Sequence, residues 1–97
     1  MDKAAVISAI RALRPAFEAE GVSHVYLFGS VARDEQGPAS DVDLFFDHKL
    51  TKFGLIEYSG LKRFAREHLP FDADFIERSC LHPAIRPEAE AQAIRVF

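Results

Sequence analysis

Among 97 residues the chain has no tryptophan, one cysteine, one methionine, and only five glycines and five prolines. A single cysteine, Cys80, excludes an intramolecular disulfide. Residues 1–14 hold no unbroken apolar leader. Together these set the expectation of a reducing, cytoplasmic location. No run approaches the roughly 18 apolar residues that span a bilayer, so no membrane partner is expected. An excess of basic residues is also missing: 12 Lys and Arg face 15 Asp and Glu, for a net charge of −3. That is not the electrostatic footprint of a stand-alone nucleic-acid binder, and no direct nucleic-acid contact is expected. No internal repeat or low-complexity tract is present.

What is present is a folding composition. Hydrophobic residues make up 48% and charged residues 28%, which excludes disorder as the main state. The length suits one domain over residues 1–97. Val6, Ile10, Leu13 and Phe17 recur at helical spacing, with Asp2 placed to cap the start. Pro15 predicts a break, then a short second piece ending before Gly21. Residues 22–28 read as a strand, 30–34 as a short turn or helix, 35–40 as a loop and 41–47 as a second strand. Residues 55–68 read as a long helix stopped by Pro70. Residues 71–77 read as a third strand whose buried face the alternation leaves open. Residues 81–93 look helical within the limits set by Pro83 and Pro87, and 94–97 fit an edge strand. This order predicts an α+β fold, a small mixed sheet packed with helices.

The chemistry concentrates in Phe28-Gly-Ser-Val-Ala-Arg33 and Ser40-Asp-Val-Asp-Leu44. Asp41 and Asp43 sit two apart on a strand and therefore face the same way, about 7 Å apart. Like charges that close repel unless a cation lies between them, and a hard ion such as Mg²⁺ prefers such oxygen ligands. Gly29 permits a positive φ and close approach of a ligand, and a helical turn begun at Ser30 would aim free N–H groups at an anion. A phosphate cradle facing a carboxylate pair is the equipment of phosphoryl or nucleotidyl transfer.

Gly29-Ser30, ten residues, then Asp41-x-Asp43 resembles the signature of the polymerase-β-like nucleotidyltransferase superfamily. The fuller string Leu27-Phe-Gly-Ser-Val-Ala-Arg33 with Ser40-Asp-Val-Asp-Leu44 resembles its minimal branch. The resemblance runs from about Val25 to the C-terminus. It implies the polymerase-β-like fold, with Asp41 and Asp43 binding Mg²⁺ and ATP as the substrate. It implies Asp74, in Phe71-Asp-Ala-Asp-Phe-Ile76, as the third catalytic and metal-binding carboxylate; Asp72 on the same face is the rival. Gly29 and Ser30 would hold phosphates. Arg33 stands between a nucleotide contact and a surface ion pair. Asp47 is left structural.

The minimal branch is commonly the antitoxin of a toxin–antitoxin pair, acting on a HEPN-type ribonuclease from the adjacent gene. The implied activity is transfer of AMP from ATP to a tyrosine of that toxin. Two alternatives stand beside it: a binding module that neutralises its partner by contact, and nucleotidyl transfer to a small alcohol. The four histidines show no metal spacing. Cys80 reads as a small buried thiol. The basic run Lys62, Arg63 and Arg66 reads as a solvated helix face.

Overall fold

A computed structural model of the protein describes residues 2–37 and 41–97. Helix α1 spans Lys3–Ala12, and the Asp2 carboxylate caps it by accepting from the Ala5 N–H at 2.8 Å. Helix α2 spans Arg14–Ala19. The break falls at Leu13, so Pro15 sits in the first turn of α2, where its missing N–H has no intrahelical partner to lose. The chain turns at Gly21, with φ of 97°, into β1, Val22–Phe28.

After β1 comes the one-turn helix α3, Gly29–Ala32. Strand β2 spans Val42–His48 and α4 spans Leu55–His68. Glu57 accepts from the Gly54 N–H at 2.7 Å and fixes the entry to α4. Strand β3 spans Ala73–Glu77, two residues shorter at its start than the alternation predicts. A 3₁₀ turn, Arg78–Cys80, leads to α5, Arg86–Gln92, and to β4, Ile94–Arg95. The helix expected from residue 81 thus starts only at Arg86, past Pro83, with Pro87 tolerated in its first turn. Residues 38–40, which include Pro38 of the expected Gly37-Pro38 loop signal and Ser40, lie outside the described residues.

The strands form one mixed sheet in the order β3-β2-β1-β4. Strand β1 pairs antiparallel with β2 and with the edge strand β4, whereas β2 and β3 run parallel and are joined through α4. One sheet face carries Leu27, Leu44, Phe46 and Phe75 into a core with Val6, Ile10, Phe17, Leu61 and Ala65 from α1, α2 and α4. A register shift between Val22 and His24 lets both Val22 and Val25 join that core although they are three apart. The opposite face carries Phe28 and Phe45 against Leu81 and Ala89. On β3 the alternation resolves so that Phe75 goes into the main core, leaving Asp74 on the other face.

Cys80 is exposed, contrary to the buried thiol read from the sequence. The 3₁₀ turn that holds it lies at the surface, while the following Leu81 takes the buried position. Among the described residues no helix is long and apolar enough to cross a membrane.

Candidate active site

Three strands place the candidate residues in one row. Phe28 is opposite Asp43, and Asp43 is opposite Asp74 on the parallel neighbour. Residues level with one another across a sheet point to the same face, and neighbouring strands lie about 4.8 Å apart. Asp43 and Asp74 therefore stand side by side. Asp41 is two residues before Asp43, just outside β2. The rival acid Asp72 precedes β3, where its carbonyl accepts from the Val42 N–H at 3.0 Å.

Gly29 follows Phe28 with φ of 76°, a conformation that L side chains rarely adopt. A Cβ there would lie 2.2 Å from the Asp43 carboxylate oxygen. Both the turn and the seating of Asp43 thus require glycine. The Gly-Ser turn and the acid read as a pair from their spacing are in contact across the strand ends.

Like charge dominates the electrostatics of the row. Burial, followed by the neighbouring Asp74 and Asp41 carboxylates, holds the Asp43 carboxyl above its ordinary value, while Arg33 pulls it the other way. Asp72 is not among the groups that act on Asp43. Arg33 donates to Glu35 at 2.9 Å and to the Gln92 side chain at 3.1 Å. It is therefore engaged in surface pairs while still contributing positive potential to the row.

Two cavities flank the row. One, of about 300 Å³, lies on the β1 side and is lined by Phe28, Gly29, Arg33, Ile85, Glu88, Ala89 and Gln92. The other, of about 380 Å³, lies on the β3 side, where Asp41, Asp72 and Asp74 share walls with Phe71, Ala73, Phe75 and Ile76 and with Lys62 and Arg66 of α4. The basic run on α4 is thus not only a solvated face. Its available signal was the i, i+4 spacing of two cations on the helix that leads into the third acid.

The donor set suits a hard divalent cation, which takes carboxylate oxygens and a few protein ligands. Among the described residues no three His, Cys, Asp or Glu side chains already stand close enough to share an ion. The carboxylates must swing together from these rotamers to hold one. Charge favours that movement, because a cation relieves the repulsion that now bears on Asp43.

Comparison with known proteins places the chain in a family and a fold. The nucleotidyltransferase domain model matches residues 10–96, and the chain belongs to that family. It is a nucleotidyltransferase. It is 30% identical over 91 residues to a Methanocaldococcus jannaschii protein named as a protein adenylyltransferase (MJ0435), with 90% of this chain and 92% of that one covered. A solved structure of a minimal nucleotidyltransferase superposes with a TM-score of 0.76 at 28% identity, covering 97% of this chain and 95% of that one. A toxin–antitoxin crystal structure with AMP-PNP shares the fold, with a TM-score of 0.65 at 20% identity over 100% of this chain and 73% of that one.

Proposed function

We propose that the chain is a Mg²⁺-dependent adenylyltransferase that moves AMP from ATP to a tyrosine of a partner toxin, a HEPN-type ribonuclease encoded by the adjacent gene, and so acts in the cytoplasm as an antitoxin. The observation that carries this reading is the row itself: Asp43 seated on Gly29 with Asp74 level beside it. The name of the archaeal relative supports protein as the acceptor, and the toxin–antitoxin structure supports a toxin as that protein.

In this reading Asp41, Asp43 and Asp74 hold Mg²⁺. When bound, Mg²⁺ neutralises phosphate charge and makes both the attacking and the leaving oxygen better suited to displacement. Gly29 lets the triphosphate approach the backbone closely, with Ser30 and the N–H groups of the turn as donors to its oxygens. Arg33 exchanges Glu35 and Gln92 for the phosphates. The tyrosine hydroxyl attacks the α-phosphorus in line, a new P–O bond forms, and the bond to the β-phosphate oxygen breaks, releasing pyrophosphate. Asp74, at the acceptor side of the row, takes the hydroxyl proton. An added AMP places an anionic group on the toxin, which repels RNA phosphate.

Intact-mass spectrometry of the protein with ATP, Mg²⁺ and the adjacent gene's product tests this. The partner is expected to gain one or more AMP units, and to gain none with Asp43→Asn. A stable complex with no mass change, and neutralisation that survives Asp43→Asn, would replace transfer with inhibition by contact. Labelled AMP appearing on a soluble alcohol instead would redirect the reading to a small-molecule acceptor.

A further inference from the structure

We infer that the exposed face of α4 docks the acceptor protein, and that Lys62 and Arg66 select an acceptor segment with carboxylate side chains flanking the hydroxyl to be modified. This rests on the transfer reading above. Lys62 and Arg66 are four apart, so they project from one side of the helix about 6 Å apart along its axis. Both are exposed. Among the described residues neither has an ion-pair partner; the Lys62 ammonium lies 4.4 Å from the centroid of the Tyr58 ring. Their neighbour Arg63 diverges from them, pairing with Glu67 at 3.7 Å and facing a different groove.

The two unpaired cations share a groove with Asp41 and Asp74 without pairing to them. Two like charges on adjacent turns repel each other, and among the described residues no direct ion pair offsets this. A carboxylate from outside would relieve it. The side of the row fits an acceptor: Gly29 and Arg33 lie on the β1 side, where the triphosphate is placed, which leaves the β3 side open for the incoming hydroxyl. An acceptor segment entering past three aspartates would otherwise meet only negative charge, and Lys62 and Arg66 reverse that along its path.

The same helix begins with Leu55 and Ile56, which are 82% and 84% exposed. An exposed aliphatic pair on the same helix as a cation pair fits a protein partner, whose interfaces join an apolar centre to a charged rim. Single-stranded nucleic acid, the other polyanion two cations could meet, is set against the peptides in the test below.

Fluorescein-labelled peptides with a single tyrosine flanked by Asp and Glu, by Asn and Gln, or by Lys and Arg test this, with single-stranded RNA of similar length alongside. Binding is read by anisotropy with AMP-PNP and Mg²⁺, and AMP addition by mass with ATP, for the parent, K62E/R66E and K62R/R66K. The acidic peptide is expected to bind about tenfold more tightly than the basic one, with K62E/R66E reversing that order and K62R/R66K keeping it. An order unchanged by charge reversal, or RNA bound more tightly than the acidic peptide and lost in K62E/R66E, would overturn the inference. AMP added to peptides regardless of flanking charge leaves the transfer reading standing and defeats this one. Charge-ordered binding with no AMP added keeps α4 as a docking face for acidic segments but removes its role in presenting an acceptor, together with the transfer reading.

Discussion

Asp43 and Asp47 lie on one strand and one face, four residues apart, in opposite surroundings. Asp47 accepts a two-pronged contact from Arg78 at 2.8 and 3.0 Å, and the same guanidinium donates to Glu90 at 2.8 Å. Arg78 also lies over the rings of Tyr26 and Phe45 at 4.7 and 4.9 Å. Donation to the Asp47 carboxylate above all raises the Arg78 pKa, and Arg78 in turn draws the Glu90 carboxyl below its ordinary value. Asp43 has like charges beside it and a raised carboxyl. The first cluster ties β2 to the 3₁₀ turn and α5. The second sets like charges against one another, and in the proposed reading it supplies chemistry in place of cohesion.

Substitutions can break this contrast at either end. Asp43→Asn has the largest expected effect: AMP transfer falls by at least about 10²-fold, measured by AMP incorporation into the partner, while the metal-free fold becomes no less stable. Gly29→Ala comes next. Its Cβ would collide with the Asp43 carboxylate, and its φ is unsuited to alanine. A loss of about 1–3 kcal/mol in urea unfolding is expected together with a marked loss of transfer. Arg78→Ala removes partly exposed charge-assisted bonds and should cost about 1–2 kcal/mol, roughly 5–10 °C in Tm, with transfer retained below the transition.

The smallest effect is a slope with pH. The folded Asp43 carboxyl is raised above its unfolded value, so the folded state binds the proton more tightly. Stability from this group is therefore lost as pH rises through the interval between the unfolded and folded values. Asp43→Asn should be more stable than the parent at neutral pH in the absence of Mg²⁺. The electrostatic part of that advantage should disappear as pH falls below the ordinary carboxyl value of 3.8, as followed by urea titration at each pH. Mg²⁺ with AMP-PNP should raise the parent's Tm more than the variant's.

Much of this was legible in the chain. Strand β1 and helix α4 match the ranges read from pattern, because alternation, helical spacing and flanking Gly and Pro all agree there. The break near Pro15 and the positive φ at Gly29 follow from the conformational limits of those residues. What was not legible depends on partners far along the chain. Arg78 and Asp47 are 31 residues apart, and no local rule joins them. Glu77 looks like another surface acid, yet it is buried, accepting from the Ser79 N–H at 2.9 Å and from the Ser79 hydroxyl. Alternation could not rank Asp74 above Asp72. The parallel register sets Asp74, and not Asp72, level with Asp43. Cys80 was misread because burial depends on the turn that carries it, not on the residue type.

The parallel pairing of β2 with β3 also sets the order in which the row can assemble. Strand β1 meets β2 in a short-range antiparallel pair, so Asp43 can reach Gly29 before the rest of the chain is in place. Asp74 reaches its position only after the whole α4 crossover has closed, a longer-range contact that carries a larger entropic cost. Repulsion between the two acids is therefore absent from the β1–β2 pair alone and enters only when the α4 crossover closes. A nucleus free of that conflict folds as readily with the aspartates as without them, and the strain of the site falls on the finished molecule rather than on the route to it.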